Sequence, residues 1–361
     1  MNDFLAEELL VQQQMLDAVK AVLHSGRYIL GKEVEAFEHE WAGFCRTEFC
    51  VGVGNGMDAI EMAIRALSLG PKDEVITTPM TAFATVLAIM RAGATPVLAD
   101  INPETAMLDP KSVVRCLTRK TKAIVTVHLY GQIGAIDALR SIAKDRNLDL
   151  IEDCAQAHGA LYQGQPAGSF GTFGTWSFYP TKNLGALGDA GAVTTSSKHF
   201  AGKIRMLRHY GQHKPHHHSV LGMNSRLDEL QAAILRTRLP YLKRWTTRRR
   251  EIAARYHEGI RNPRVRLLPP PLEDSCHVYH LFVITCTKRA ALQNHLTEQG
   301  VESLIHYPVP VHNQKPCRSL AHDPAGLLHA EQHAQECLSL PCHHNLAEED
   351  VERVIRAIND F

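Results

Sequence analysis

The sequence predicts an α/β protein: a mostly parallel sheet covered on both faces by helices, followed by a smaller α+β C-terminal domain. Three observations carry this expectation. From about Val51 to Val193, short apolar runs alternate with amphipathic helical patterns, as expected when β–α units build a parallel sheet. The chain has 361 residues, 45% hydrophobic and 21% charged, which suits a sizeable core divided between a large and a small domain. After the proline-rich "NPRVRLLPPPLEDS" the pattern changes to shorter mixed pieces.

Each element has a local reason. "DEVITTP", "TPVLADI", "KAIVTVHLYG", "LDLIEDCAQ", "GTWSFYP" and "GAVTTS" read as strands, and "MDAIEMAIRALSLG", "TAFATVLAIMRAG" and "IDALRSIAKDRN" as the helices between them. From about Asn224 to Glu258 the pattern is helical and charged. Leu227, Leu230, Ala233 and Ile234 supply its apolar spacing, and Arg248, Arg249 and Arg250 read as a solvated face. The domain boundary is placed near residues 240–265, giving a large domain over 1–245 and a small one over 246–361, with prolines 269–271 as a stiff connection.

Bulk properties exclude several classes. A formal net charge of +1 argues against nucleic acid or an anionic membrane as the main partner. No window approaches the uncharged apolar run a membrane span needs. The opening "MNDFLAEELL" lacks the basic-then-apolar order of a secretion signal. Nine scattered cysteines, odd in number and without a Cys-x-x-Cys, suit reduced thiols in a cytoplasm. His216, His217 and His218 form a run without paired ligands at fixed spacing, so a solvated loop and no metal are expected.

Ligands of such sheets bind beyond the carboxyl ends of the strands, and three chemical features fall there. In "VGVGNGMDAIEMAIRAL", Gly52, Gly54 and Gly56 precede a helix striped by Ile60, Ala63, Ile64 and Leu67. Close backbone approach and free N–H groups at a helix start suit a phosphate. The spacing is neither G-x-G-x-x-G nor a Walker loop. In "LDLIEDCAQAHGA" an apolar strand ends in Glu152 and Asp153; a carboxylate there either caps the next segment or faces a cation. In "TWSFYPTKNLGALGDAG", Lys182 follows a strand and Pro180, with Ser177 and Thr181 beside it and glycines after it. A lysine at its ordinary pKa of about 10.4 is a poor nucleophile at neutral pH, and burial or nearby cations correct that. A phosphate nest, a carboxylate and a lysine together describe a site for pyridoxal phosphate, with Asp153 keeping the ring nitrogen protonated and Lys182 bonded to the aldehyde.

With these residues in place, "GNGMDA", "DCAQAHGA", "SFYPTKNLGALGDAG", "MNSRLDELQAAIL" and "HYPVPVH" resemble the DegT/DnrJ/EryC1/StrS aminotransferases, the nucleotide-sugar branch of fold-type-I pyridoxal-phosphate enzymes. The likeness runs in order from "GRYILGKEVEAFE" to "LSLPCHHNLAEEDVERVI". It implies a mostly parallel seven-stranded sheet and roles for matching positions. Lys182 would hold the cofactor covalently, Asp153 would pair with its ring nitrogen and Gln156 would hydrogen-bond its ring hydroxyl. Ser177 and the backbone of Gly56 and Met57 would hold the phosphate. Asn224 would reach the cofactor phosphate of a neighbouring subunit in a homodimer with shared sites. Tyr179, His306 and Tyr307 align with sugar-contacting positions, and the His213–His218 loop would reach the nucleotide diphosphate across the interface.

Three positions depart from the family pattern: Ala82, with Phe83 next, stands where an aromatic residue commonly stacks on the ring; Met57 replaces a frequent threonine; and Ala190 replaces a glycine of "GDGG". The resemblance implies a cytoplasmic enzyme moving an amino group from L-glutamate to C3 of a dTDP-3-keto-6-deoxyhexose. A UDP-linked 3-keto sugar and a 4-keto sugar are the alternatives. Of the other classes, a dehydratase of this scaffold would have histidine at Lys182, a Rossmann dehydrogenase fails on glycine spacing, and a non-catalytic sensor has no need to keep Lys182, Asp153, Gln156 and Ser177 together.

Overall fold

A computed structural model describes residues 4–271 and 273–361. Its main sheet runs in the order Phe49–Val53, Gly191–Thr195, Phe173–Ser177, Asp149–Asp153, Thr121–Val127, Glu74–Thr77, Thr95–Leu98 and Ala321–His322. The Gly191–Thr195 strand is antiparallel to both neighbours, and the remaining pairs are parallel. Six of these strands coincide with the six apolar runs read from the sequence. Phe49–Val53 makes the seventh, beside the glycine turn. The seven-stranded expectation is corrected by one: Ala321–His322, from the C-terminal part, adds an eighth, pairing with Val97 and Leu98. Two residues are too short for any alternation to reveal them.

Alternation within the strands sorts side chains to two cores. Leu150 and Trp176 join Phe37, Trp41, Phe178 and Leu227 on one face. Ile151 and Phe173 join Ile60, Ile64, Val125 and Val193 on the other. A third core is drawn from residue 252 onward and includes Tyr256, Phe282, Ile284, Leu338 and Ile358. Its antiparallel sheet consists of Arg266–Leu267, Phe282–Thr285 and Cys337–Leu340. Prolines 269–271 therefore lie between two strands of one sheet, and their stiffness is internal to the C-terminal part.

The charged helical stretch is two helices, Glu229–Arg238 and Leu242–Gly259, joined by a tight turn over Leu239–Tyr241. Pro240 has no N–H to continue the first helix. The reading of Arg248, Arg249 and Arg250 as a solvated face is overturned. Arg249 is buried, donating to the carbonyls of Tyr279 (3.1 Å) and Cys342. Arg250 donates to His277 O at 2.9 Å and Ser275 O at 3.0 Å, while Arg248 pairs with Glu348. The reason is helical phase: Trp245, Arg249, Ile252 and Tyr256 share the inward face. All nine cysteines are buried and unpaired, and no described helix is long and apolar enough to cross a membrane. The histidines of the 213–218 segment lie on an exposed hairpin, Gln212–Lys214 with His217–His218.

Candidate active site

The site forms at the carboxyl ends of the parallel strands. Helix Gly56–Ala66 starts there, capped by Asn55, whose side chain accepts the Asp58 N–H at 2.9 Å. The helix start is pressed onto the strand carrying Ser177: a Cβ at position 56 would lie 2.5 Å from Ser177 Cβ. Only glycine permits that approach. The N–H groups of Gly56 and the half-buried Met57 at the helix start thus lie beside Ser177, whose Oγ would be 3.2 Å from that Cβ.

Glu152 and Asp153 divide their work by alternation. Glu152 faces the core with Trp176 and is fully buried. It accepts the N–H groups of Gly168 (2.8 Å), Phe170 (2.7 Å) and Gly171 (2.9 Å) and meets His128 Nε2 at 2.9 Å. It is an anchor for the 168–171 turn. Asp153 takes the other face, with Oδ2 accepting from Thr85 Oγ1 at 2.8 Å and Oδ1 from the Ala155 N–H at 3.1 Å. Burial raises its carboxyl above the ordinary range, while Thr85, Ala155 and the charges of Lys182 and His128 pull it back down.

Lys182 sits on a turn held by its own N–H to Tyr179 O (2.8 Å) and by Ala186 N–H to Phe178 O (2.8 Å). Gly185 makes the fold-back possible, since a Cβ there would lie 2.4 Å from Pro180 O. The next residue is pinned: Asn183 Nδ2 donates to Val278 O at 3.0 Å, and Oδ1 meets His280 Nδ1 at 3.1 Å. Burial lowers the Lys182 amine to about 8, against the opposing pull of the Asp153 carboxylate.

The same pocket gathers Gln156, His306 and Tyr307. Gln156 Oε1 accepts the Tyr130 N–H at 2.6 Å, so the amide must point its Nε2 donors outward, towards Tyr307 Oη at 3.4 Å. Burial and Lys182 together lower His306 to about 4, and burial with the Asp153 charge raises Tyr307 to about 12. Tyr179 and Asn224 are exposed on this chain. Asn224 pairs with His209 through its backbone, while its neighbour Ser225 accepts the Gly54 N–H at 2.9 Å.

Of the departures, Phe83 packs against Val86, Leu98, Val311 and Leu327, Met57 against the core that holds Ile60, and Ala190 is buried, its carbonyl accepting the Phe178 N–H at 2.8 Å. Thr85, Tyr130, His128 and His280 were not singled out by sequence. Thr85 lies two residues beyond Phe83, within the segment "TAFATVLAIMRAG", where its hydroxyl carries no local signal.

These geometries meet the comparisons with known proteins. The model of the DegT/DnrJ/EryC1/StrS aminotransferase family matches residues 10–359. The chain belongs to that family. It is 47% identical to a dTDP-3-amino-3,6-dideoxy-alpha-D-galactopyranose transaminase of Aneurinibacillus thermoaerophilus, over 97% of this chain and 96% of the relative. Its structure matches that of S. venezuelae DesV in complex with a ketimine intermediate, with TM-score 0.95 and 42% identity, over 99% of this chain and 96% of that one. It also matches Ntda from Bacillus subtilis with bound cofactor PMP, with TM-score 0.90 and 30% identity, over 98% and 82%. The cofactor of this aminotransferase is pyridoxal 5'-phosphate. The residues present fit it: a helix start with a glycine cradle for an anion, outward amide donors on Gln156, a lysine amine of lowered basicity, and a desolvated carboxylate that a cationic ring nitrogen would neutralise.

Proposed function

We propose that the protein transfers the amino group of L-glutamate to C3 of a nucleotide-linked 3-keto-6-deoxyhexose, with the dTDP sugar as acceptor. The observation that carries the reading is the proximity of the buried Lys182 and Asp153, near enough for each to shift the other's proton affinity. The name of the Aneurinibacillus relative, a dTDP-3-amino-sugar transaminase, supports the acceptor.

Bound pyridoxal phosphate supplies an electron sink that lets a Cα–H bond ionise. The chain does the rest. Gly56, Met57 and Ser177 would hold the phosphate, and Gln156 Nε2 would donate to the ring hydroxyl. Asp153, set by Thr85 and the Ala155 N–H, would keep a proton on the ring nitrogen. Lys182 would hold the cofactor covalently, and its Nζ, once free, would accept the proton lost from Cα of the amino donor and give it back. A lysine near pKa 8 suits both directions at neutral pH. Tyr179, His306 and Tyr307 orient the sugar. The chain exposes Tyr179, Leu187, Tyr210 and Leu221, as a homodimer interface requires, and the exposed Asn224 reaches across it to the second site.

The test is a glutamate-dependent assay across dTDP- and UDP-linked 3-keto and 4-keto sugars, with the position of the new amine read by NMR. Amination at C3 of the dTDP sugar is expected. Amination confined to C4, or to UDP sugars, would overturn the acceptor.

A further inference from the structure

Tyr130 has every polar group engaged in the wall of the site. Its N–H goes to Gln156 Oε1 (2.6 Å), its carbonyl accepts the Leu281 N–H (3.2 Å), and its hydroxyl lies 2.6 Å from His306 O and 2.9 Å from His333 Nε2. The directions are forced. A carbonyl only accepts, so the single phenol proton goes to His306 O, and the phenol oxygen must accept from His333 Nε2–H. The chain therefore runs His333 to Tyr130 to the His306 carbonyl, between groups buried to 4% and 1% exposure at His333 and Tyr130. Burial lowers His333 to about 4, so its ring is neutral with the proton on Nε2.

Tyr130 holds this place in a left-handed backbone conformation, φ 62°, which is unfavourable for a bulky residue and persists only where the surroundings fix it. The residue it holds is fixed at a second point, His306 Nδ1 meeting Ser339 Oγ at 2.9 Å. His306 and Tyr307 come from the C-terminal part of the chain, Tyr130 and Gln156 from the turns that follow strands Thr121–Val127 and Asp149–Asp153, and the Gln156–Tyr307 contact closes the ring of interactions at 3.4 Å.

We infer that Tyr130, backed by His333, is a positioning residue that clamps the His306–Tyr307 segment against Gln156 and so sets the wall that receives the acceptor sugar. The consequence for the sugar rests on the function proposed above. The clamp itself does not.

The test uses the cofactor-loaded Tyr130→Phe enzyme, which keeps the ring and the backbone N–H but removes the hydroxyl, with His333→Phe as a second variant. Two readouts are taken. Amide hydrogen exchange over residues 304–311 should rise at least tenfold in each variant. KM for the keto sugar should rise at least tenfold, while the glutamate half-reaction, read from cofactor absorbance without sugar, stays within about twofold. Unchanged exchange at 304–311 overturns the clamp, and equal loss in both half-reactions overturns its acceptor role. If wild-type enzyme aminates no keto sugar, the proposed function fails, and hydrogen exchange alone decides the clamp.

Discussion

Thr85 Oγ1 donates to Asp153 Oδ2 at 2.8 Å, across 68 residues of sequence. Because a carboxylate can only accept, Thr85 must in turn accept from Thr81 Oγ1, also 2.8 Å away. A two-hydroxyl relay thus supports the ionised form of the carboxyl against its burial. Thr85→Val should weaken turnover by about 10- to 100-fold, since a hydrogen bond to a charged group contributes roughly 1.5–3 kcal/mol. Single-turnover kinetics with glutamate would check it; an unchanged rate would show that Asp153 needs no support.

In the proposed mechanism Lys182 must be neutral to capture the cofactor aldehyde. With its pKa lowered to about 8, the reactive fraction rises as pH climbs through that value. The rate of cofactor capture by apoprotein should increase roughly tenfold per unit below pH 8 and level off above about 9. A rate still rising steeply at pH 10 would mean an ordinary lysine. Lys182→Ala should abolish borohydride-trapped cofactor.

Gly56→Ala forces a methyl to within 2.5 Å of Ser177 Cβ. The helix start must move away from the strand, costing about 1–3 kcal/mol of stability and weakening pyridoxal phosphate binding at least tenfold. Thermal melts together with cofactor titration would separate the two effects.

Acid should unfold the protein through its buried imidazoles. Burial lowers His158 and His277 to about 3, and His277 Nδ1 accepts the Tyr279 N–H at 3.0 Å, a bond that protonation would break. A folded-state pKa below the unfolded value of about 6.5 means that stability is complete above pH 6.5 and is lost as pH falls, because only the unfolded chain takes up the proton. At pH 5 each such group should cost about 2 kcal/mol. Denaturant unfolding of His158→Leu between pH 7 and 5 should show a shallower acid dependence than wild type.

Local chemistry was legible and distant chemistry was not. Lys182 and Asp153 are legible locally, each at or just beyond the end of an apolar strand and Lys182 before a glycine turn, whereas the roles of Gln156 and Ser177 follow from the family resemblance; the structure sets Lys182 near Asp153 and Ser177 beside the Gly56 helix start. Thr85 and Tyr130 act through contacts separated by 68 and 176 residues, which no local pattern encodes. Arg249 misled because a run of three arginines looks solvated, whereas the phase set by Trp245 and Tyr256 turns the middle one inward. Glu152 shows the opposite case: its core-facing parity was readable from strand alternation, but its three backbone donors come from a turn 16–19 residues on.

The Ala321–His322 strand closes an edge that the first half of the chain leaves open. Beside it, Asp323 receives Arg115 Nε at 2.9 Å and accepts from Ser112, while Val311, Cys317 and Leu327 cover Val86 and Leu98. During synthesis, the nascent sheet must therefore leave the ribosome with its Thr95–Leu98 rim unprotected until some two hundred further residues have emerged. An unpaired parallel rim is a surface other chains can pair with, and residues 311–327 are what removes it here.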